Sequence, residues 1–99
     1  MKYRARYTPE AASIIQKLHP DIKRRVRAAV DGLLDSPFVG HALHDELSGL
    51  RSFRMGKHRI VYRVNDPDRA LEFLLVGLRR DIYQELRERL LQGLDIPSK

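Results

Sequence analysis

Arg51, Arg54, Lys57, Arg59 and Arg63 fall between Leu47 and Val64 with no acidic residue among them. Guanidinium forks and an ammonium group at this density suit the oxygens of a phosphate backbone. Basic and apolar residues alternate here, Arg59 and Arg63 against Ile60, Tyr62 and Val64. That period of two is a strand pattern, with one face on a core and the other toward an anion. A polyanion, RNA foremost, is the partner class this stretch implies.

Other chemistries are less well served. Cysteine is absent, which removes disulfides, thiolate metal sites and cysteine nucleophiles and fits a reducing cytoplasm. His41-x-x-His44 followed by Asp45-Glu46 has metal-ligand residue types, but it lies in an expected loop and reads better as solvated polarity. Neither metal nor cofactor is therefore expected. Ser48, Ser52 and His58 lack the strand–turn–helix elbow of a hydrolytic serine. Arg51, Lys57 and Arg63 also have a plainer reading, as cations that keep strands soluble. Tyr62 continues the Ile60/Val64 face and reads as core.

The formal charge of +6 on 99 residues favours a nucleic acid or an acidic protein as partner. Length gives one domain with a modest core, over residues 1–94, and a frayed tail at 95–99. MKYRARYTPE has no apolar signal core, and no apolar run approaches membrane-spanning length. A cytoplasmic protein without membrane contact is the expectation.

The elements that must position these cations follow from local signals. Lys2 to Tyr7 alternates as a strand. Thr8-Pro9-Glu10 then supplies an N-cap, a first-turn proline and a first-turn acid. Ala11, Ile14, Ile15 and Leu18 share a helix face that stops near His19-Pro20. Ile22, Val26, Ala29, Val30, Leu33 and Leu34 form a second helical stripe, with Lys23, Arg24, Arg25 and Arg27 opposite it. Asp35-Ser36-Pro37 closes this hairpin, and a loop runs to Ser48. Strands are expected over 50–55 and 58–65 about a Gly56-Lys57 turn, and a buried central strand over 70–77 after the turn at 65–68. A last helix over 80–91 points Ile82, Leu86 and Leu90 inward and ends at Gly93. The fold class is α+β, in the order β-α-α-β-β-β-α: a helical hairpin on one side of a mostly antiparallel sheet. Ile60, Tyr62, Phe73 and Leu75 are expected to pack on Ile14, Val26, Val30 and Leu33.

Over nearly its whole length the chain resembles the RelE/ParE superfamily of bacterial and archaeal toxins. The most specific matches are G-K-H-R-I-V-Y at 56–62 and L-R-R-D-I-Y at 78–83. The resemblance implies a toxin made beside an antitoxin that wraps it, in a hetero-oligomer. RelE-type members cut messenger RNA in the ribosomal A site, and ParE-type members inhibit DNA gyrase. By position, Arg59 matches the arginine that contacts the scissile phosphate, Arg79 the arginine opening the last motif, and Tyr83 an aromatic of that site. Arg54 falls at a basic position of the preceding strand. A second basic position, two residues earlier, is occupied by Ser52. Arg51, Lys57, His58, Arg63 and Arg80 would widen the RNA contact.

Metal-free RNA cleavage needs the 2′-hydroxyl deprotonated, charge on the phosphorane stabilised and the leaving 5′-oxygen protonated. Arg59 and Arg79 suit the second task, with Arg54 beside them. Tyr83, Lys57 or His58 could move the proton. Ribosome-dependent endoribonuclease is thus the first implied activity; a non-catalytic gyrase inhibitor, or an inactive toxin homologue, is the alternative.

Overall fold

The computed structural model describes residues 2–78 and 80–91. Strand β1 (Arg4–Tyr7) leads to helix α1 (Pro9–Gln16), capped by Thr8, whose side chain accepts from the Ala11 amide. His19 caps α2 (Pro20–Asp35), and Pro20 opens it, where a missing N–H costs nothing. Strands β2 (His41–Ala42), β3 (Arg51–Met55), β4 (His58–Asn65) and β5 (Ala70–Leu78) follow, then α3 (Ile82–Leu91). The expected β-α-α-β-β-β-α order is present, with the two-residue β2 added inside what was expected to be loop. Gly93 and the tail at 95–99 lie outside the described residues.

The sheet order is β1-β5-β4-β3-β2. Only β1–β5 is parallel; the other pairings are antiparallel. Strand β5 lies between β1 and β4, and its residues from Ala70 to Val76 are all buried. This is why its sequence is a near-continuous apolar run.

The hairpin covers one sheet face, where Val26, Val30 and Leu33 pack with Ile60, Tyr62, Leu71, Phe73 and Val76. The opposite face is not left bare for an anion. Val61, Leu74 and Leu75 pack there against Ile82 and Leu86 of α3 and against Leu47 and Leu50. Leu75 thus shares a cluster with Ile14, as expected, but lies across the sheet from Val26, Val30 and Leu33. Val61 pairs with Leu75 but Tyr62 pairs with Phe73, so Leu74 is an extra residue in β5. One inserted residue reverses the in–out sense of a strand beyond it. A strict period of two from Phe73 therefore misplaces Leu75.

Candidate functional site

Strand alternation sorts the cationic stretch between the faces. Arg54 and Arg59 are paired across β3 and β4, and Ser52 faces Val61 in the same ladder. Val61 belongs to the α3-side core, so Ser52, Arg54 and Arg59 share its face. Met55 pairs with His58 and belongs to the hairpin-side core, which puts His58 on the other face.

Ser52 is fully buried, and its hydroxyl is the focus of the site. It accepts from Arg59 Nη1 at 3.1 Å and from the Tyr83 hydroxyl at 3.3 Å. The Arg59 guanidinium carbon lies 5.8 Å from the centre of the Tyr83 ring, within cation–π range. Tyr83 is packed at the edge of the α3-side core. One small oxygen thus fixes a guanidinium fork and a phenol against each other. A lysine at this position would be a third cation; the serine is an acceptor. The sequence marked Ser52 as a departure from a basic pattern and as a serine without a hydrolytic elbow, not as an acceptor, and its link to Tyr83 spans 31 positions of sequence.

Beside this cluster is an open cleft of about 890 Å³ lined by Arg54, Gly56, Lys57, Leu78 and Arg80. Gly56 adopts φ +60°. Glycine at the first central position lets β3 and β4 join through a two-residue turn without steric cost. Arg54 and Lys57 are exposed and have no ion pair among the described residues. Among the described residues Arg80 approaches one acid, Asp81, at 3.9 Å, and both are largely exposed. Arg79 lies outside the described residues.

Two expected RNA contacts are committed elsewhere. Arg63 shares the Arg59 face but donates from Nε to Glu72 at 2.8 Å, and both side chains are nearly buried. Glu72 also meets Arg6 and Asn65, which makes Arg63 part of a polar knot away from the cleft. Arg51 donates to the carbonyls of Phe38 and Gly40 and lies over the Phe38 ring. Tyr62, buried as expected, fastens the same loop: its hydroxyl donates to the Pro37 carbonyl at 2.7 Å and accepts from the Gly40 amide at 3.2 Å. His41 lies in β2 and His44 just before a single helical turn at 45–47.

Residues 5–83 match the family described as the ParE toxin of type II toxin–antitoxin systems, parDE. The chain belongs to the RelE/ParE superfamily of toxins. It is 37% identical over 86 residues to toxin RelG of Mycobacterium tuberculosis, covering 85% of this chain and 99% of the relative. Toxin RelE of the same organism is 32% identical, covering 83% of this chain and 87% of its own length. In the RelBE2 toxin–antitoxin complex of that organism, a chain 34% identical superposes with a TM-score of 0.74, covering 80% of this toxin and 100% of that chain. The isolated RelE toxin of E. coli, at 19% identity and a TM-score of 0.69, covers 89% of this toxin and 98% of its own chain and shares the fold. The toxin is of RelE type, and its sheet and α3 are the scaffold that presents the Ser52 cluster.

Proposed function

We propose that this toxin is an endoribonuclease that cuts messenger RNA on the ribosome. The observation that carries the reading is the convergence of Arg59 and Tyr83 on Ser52, next to a cleft of uncompensated cations. A phosphate entering over Arg54 and Lys57 would meet Arg59, whose fork is already oriented and needs little reorganisation as charge develops. The ribose 2′-oxygen attacks the adjacent phosphorus, its proton passing to a base; the bond to the 5′-oxygen breaks, and that oxygen takes up a proton. A 2′,3′-cyclic phosphate and a 5′-hydroxyl result. In this reading Tyr83 carries a proton, and Arg79, by its match to the family motif, is a second arginine for the phosphorane. Ribosomal alignment of the message would supply part of the rate by fixing the attack geometry. The complexes formed by RelBE-type relatives support a cognate antitoxin as the second partner.

The match to the ParE description favours one other reading, a gyrase inhibitor in which Arg59 and Tyr83 have no chemical task. Translation in vitro with primer extension on the message, run beside a gyrase supercoiling assay, separates the two. Discrete message cuts that vanish with Arg59→Ala support the nuclease; inhibited supercoiling without cuts overturns it.

A further inference from the structure

Helix α2 carries three neighbouring arginines with different surroundings. Arg24 is ion-paired with Asp21 one turn back. Arg27 lines a groove against β1 together with Tyr7 and Asp31. Arg25 is exposed, has no ion pair or hydrogen bond among the described residues, and reaches across to the β3–β4 turn. A Cβ built on Gly56 would lie 2.9 Å from Arg25 Nη2, so the guanidinium sits directly over that glycine. Gly56 is itself part of the cleft wall. Elsewhere the acids sit with other arginines: Asp68 and Glu72 with Arg6, Glu72 with Arg63, Glu46 with Arg87 and Glu85 with Arg89. Lys2 and Lys17 also have no ion pair among the described residues, but Arg25, Arg54 and Lys57 are the unpaired cations that gather at the β3–β4 turn and the cleft.

We propose that Arg25 begins a phosphate track that runs from α2 over the Gly56 turn into the cleft, and that its ligand is the phosphodiester backbone of RNA. The choice of RNA rests on the nuclease reading. An exposed guanidinium beside this cleft, unpaired among the described residues, meets a phosphate outside the reacting nucleotide. It contributes affinity and register but no chemistry. Lys57, at the turn itself, bridges Arg25 to Arg54.

The test is a binding titration of fluorescein-labelled 12-nucleotide single-stranded RNA, and of a 12-base-pair RNA hairpin, over a series of salt concentrations. Wild type is compared with Arg25→Gln, Arg24→Gln and Arg27→Gln, each checked for an unchanged melting temperature. Losing one phosphate contact lowers the salt slope by about 0.7 for a single strand or about 0.9 for a duplex, which near 0.1 M salt is roughly fivefold or more in Kd. That loss is expected for Arg25→Gln alone and is recovered by Arg25→Lys. Loss on the single strand points to the message, and loss on the hairpin to a ribosomal helix; either supports the track. Equal losses in all three variants, no change in Arg25→Gln, or the same slope change against poly-glutamate would overturn it. Message cleavage is followed in parallel: wild type that binds RNA with the Arg25 signature yet makes no cuts refutes the nuclease reading and leaves the track standing.

Discussion

At the scale of single residues, the candidate site depends on a hydroxyl to which the proposed reaction assigns no step. Arg59 and Tyr83 could each adopt other rotamers, and Ser52 holds both because it is buried and accepts from both. Ser52→Ala should cost message cleavage on the order of tenfold while the melting temperature falls by roughly 10 °C, since the two bonds contribute ~1 kcal/mol each and a domain of this size loses about 4–8 °C per kcal/mol. Arg59→Ala removes the donor itself and should cost on the order of 100- to 1000-fold. Tyr83→Phe keeps the ring against the α3-side core and removes only the proton. Single-turnover cleavage should fall strongly in this variant, with RNA affinity unchanged. Near-normal cleavage would assign Tyr83 to stacking and the proton to another group.

At the scale of elements, Tyr62 ties β4 to the loop that follows α2. Burial raises its phenol above the ordinary value of 10.0. The unfolded chain then releases this proton first, so the Tyr62 contribution is present below pH ~10 and is lost as pH rises through the higher folded value. Tyr62→Phe leaves the Pro37 carbonyl and the Gly40 amide without their partner and should cost ~1–3 kcal/mol near neutrality. Urea titrations from neutrality to pH ~11 should show the gap between wild type and variant narrowing; a constant gap would contradict the buried-phenol account.

Local punctuation was legible in the sequence because one or two residues determine it. Thr8-Pro9 starts α1, Pro20 starts α2, Gly56-Lys57 turns β3 into β4, and the run after Ala70 is the buried strand. Leu74 was not legible, because a bulge in an apolar run leaves no polar residue out of phase to betray it. Ile82 and Leu86 point inward and β5 is buried on both faces, as expected, but nothing local showed that Leu47 and Leu50 join them; Arg63 looked free because its partner Glu72 lies on another strand. Packing on both faces can be tested with Leu33→Ala on the hairpin side and Leu86→Ala on the α3 side. Each should cost ~2–5 kcal/mol, as transfer energy plus a cavity. A near-zero loss at Leu86 would mean that α3 is not part of the folded core.

At the scale of the whole molecule, the charge of +6 is distributed unevenly. Many surface arginines are offset by neighbouring acids, while Arg25, Arg54 and Lys57 have no ion pair among the described residues, so positive charge gathers at the cleft. An antitoxin that neutralises the toxin by covering this region would carry acidic side chains toward it and apolar ones toward the exposed Leu78 beside them. Complementary charge of this kind acts first on encounter, before any contact is made. The association rate of toxin and antitoxin should therefore fall by about tenfold or more as salt rises from ~25 to ~400 mM, because the screening length shrinks to a few ångströms. The dissociation rate should change much less, since short-range packing governs it. Stopped-flow mixing of the two proteins measures both. The Arg54→Gln/Lys57→Gln double variant should flatten the salt dependence of association while leaving the fold intact. Association that stays indifferent to salt in wild type would remove charge steering and leave apolar burial as the basis of neutralisation.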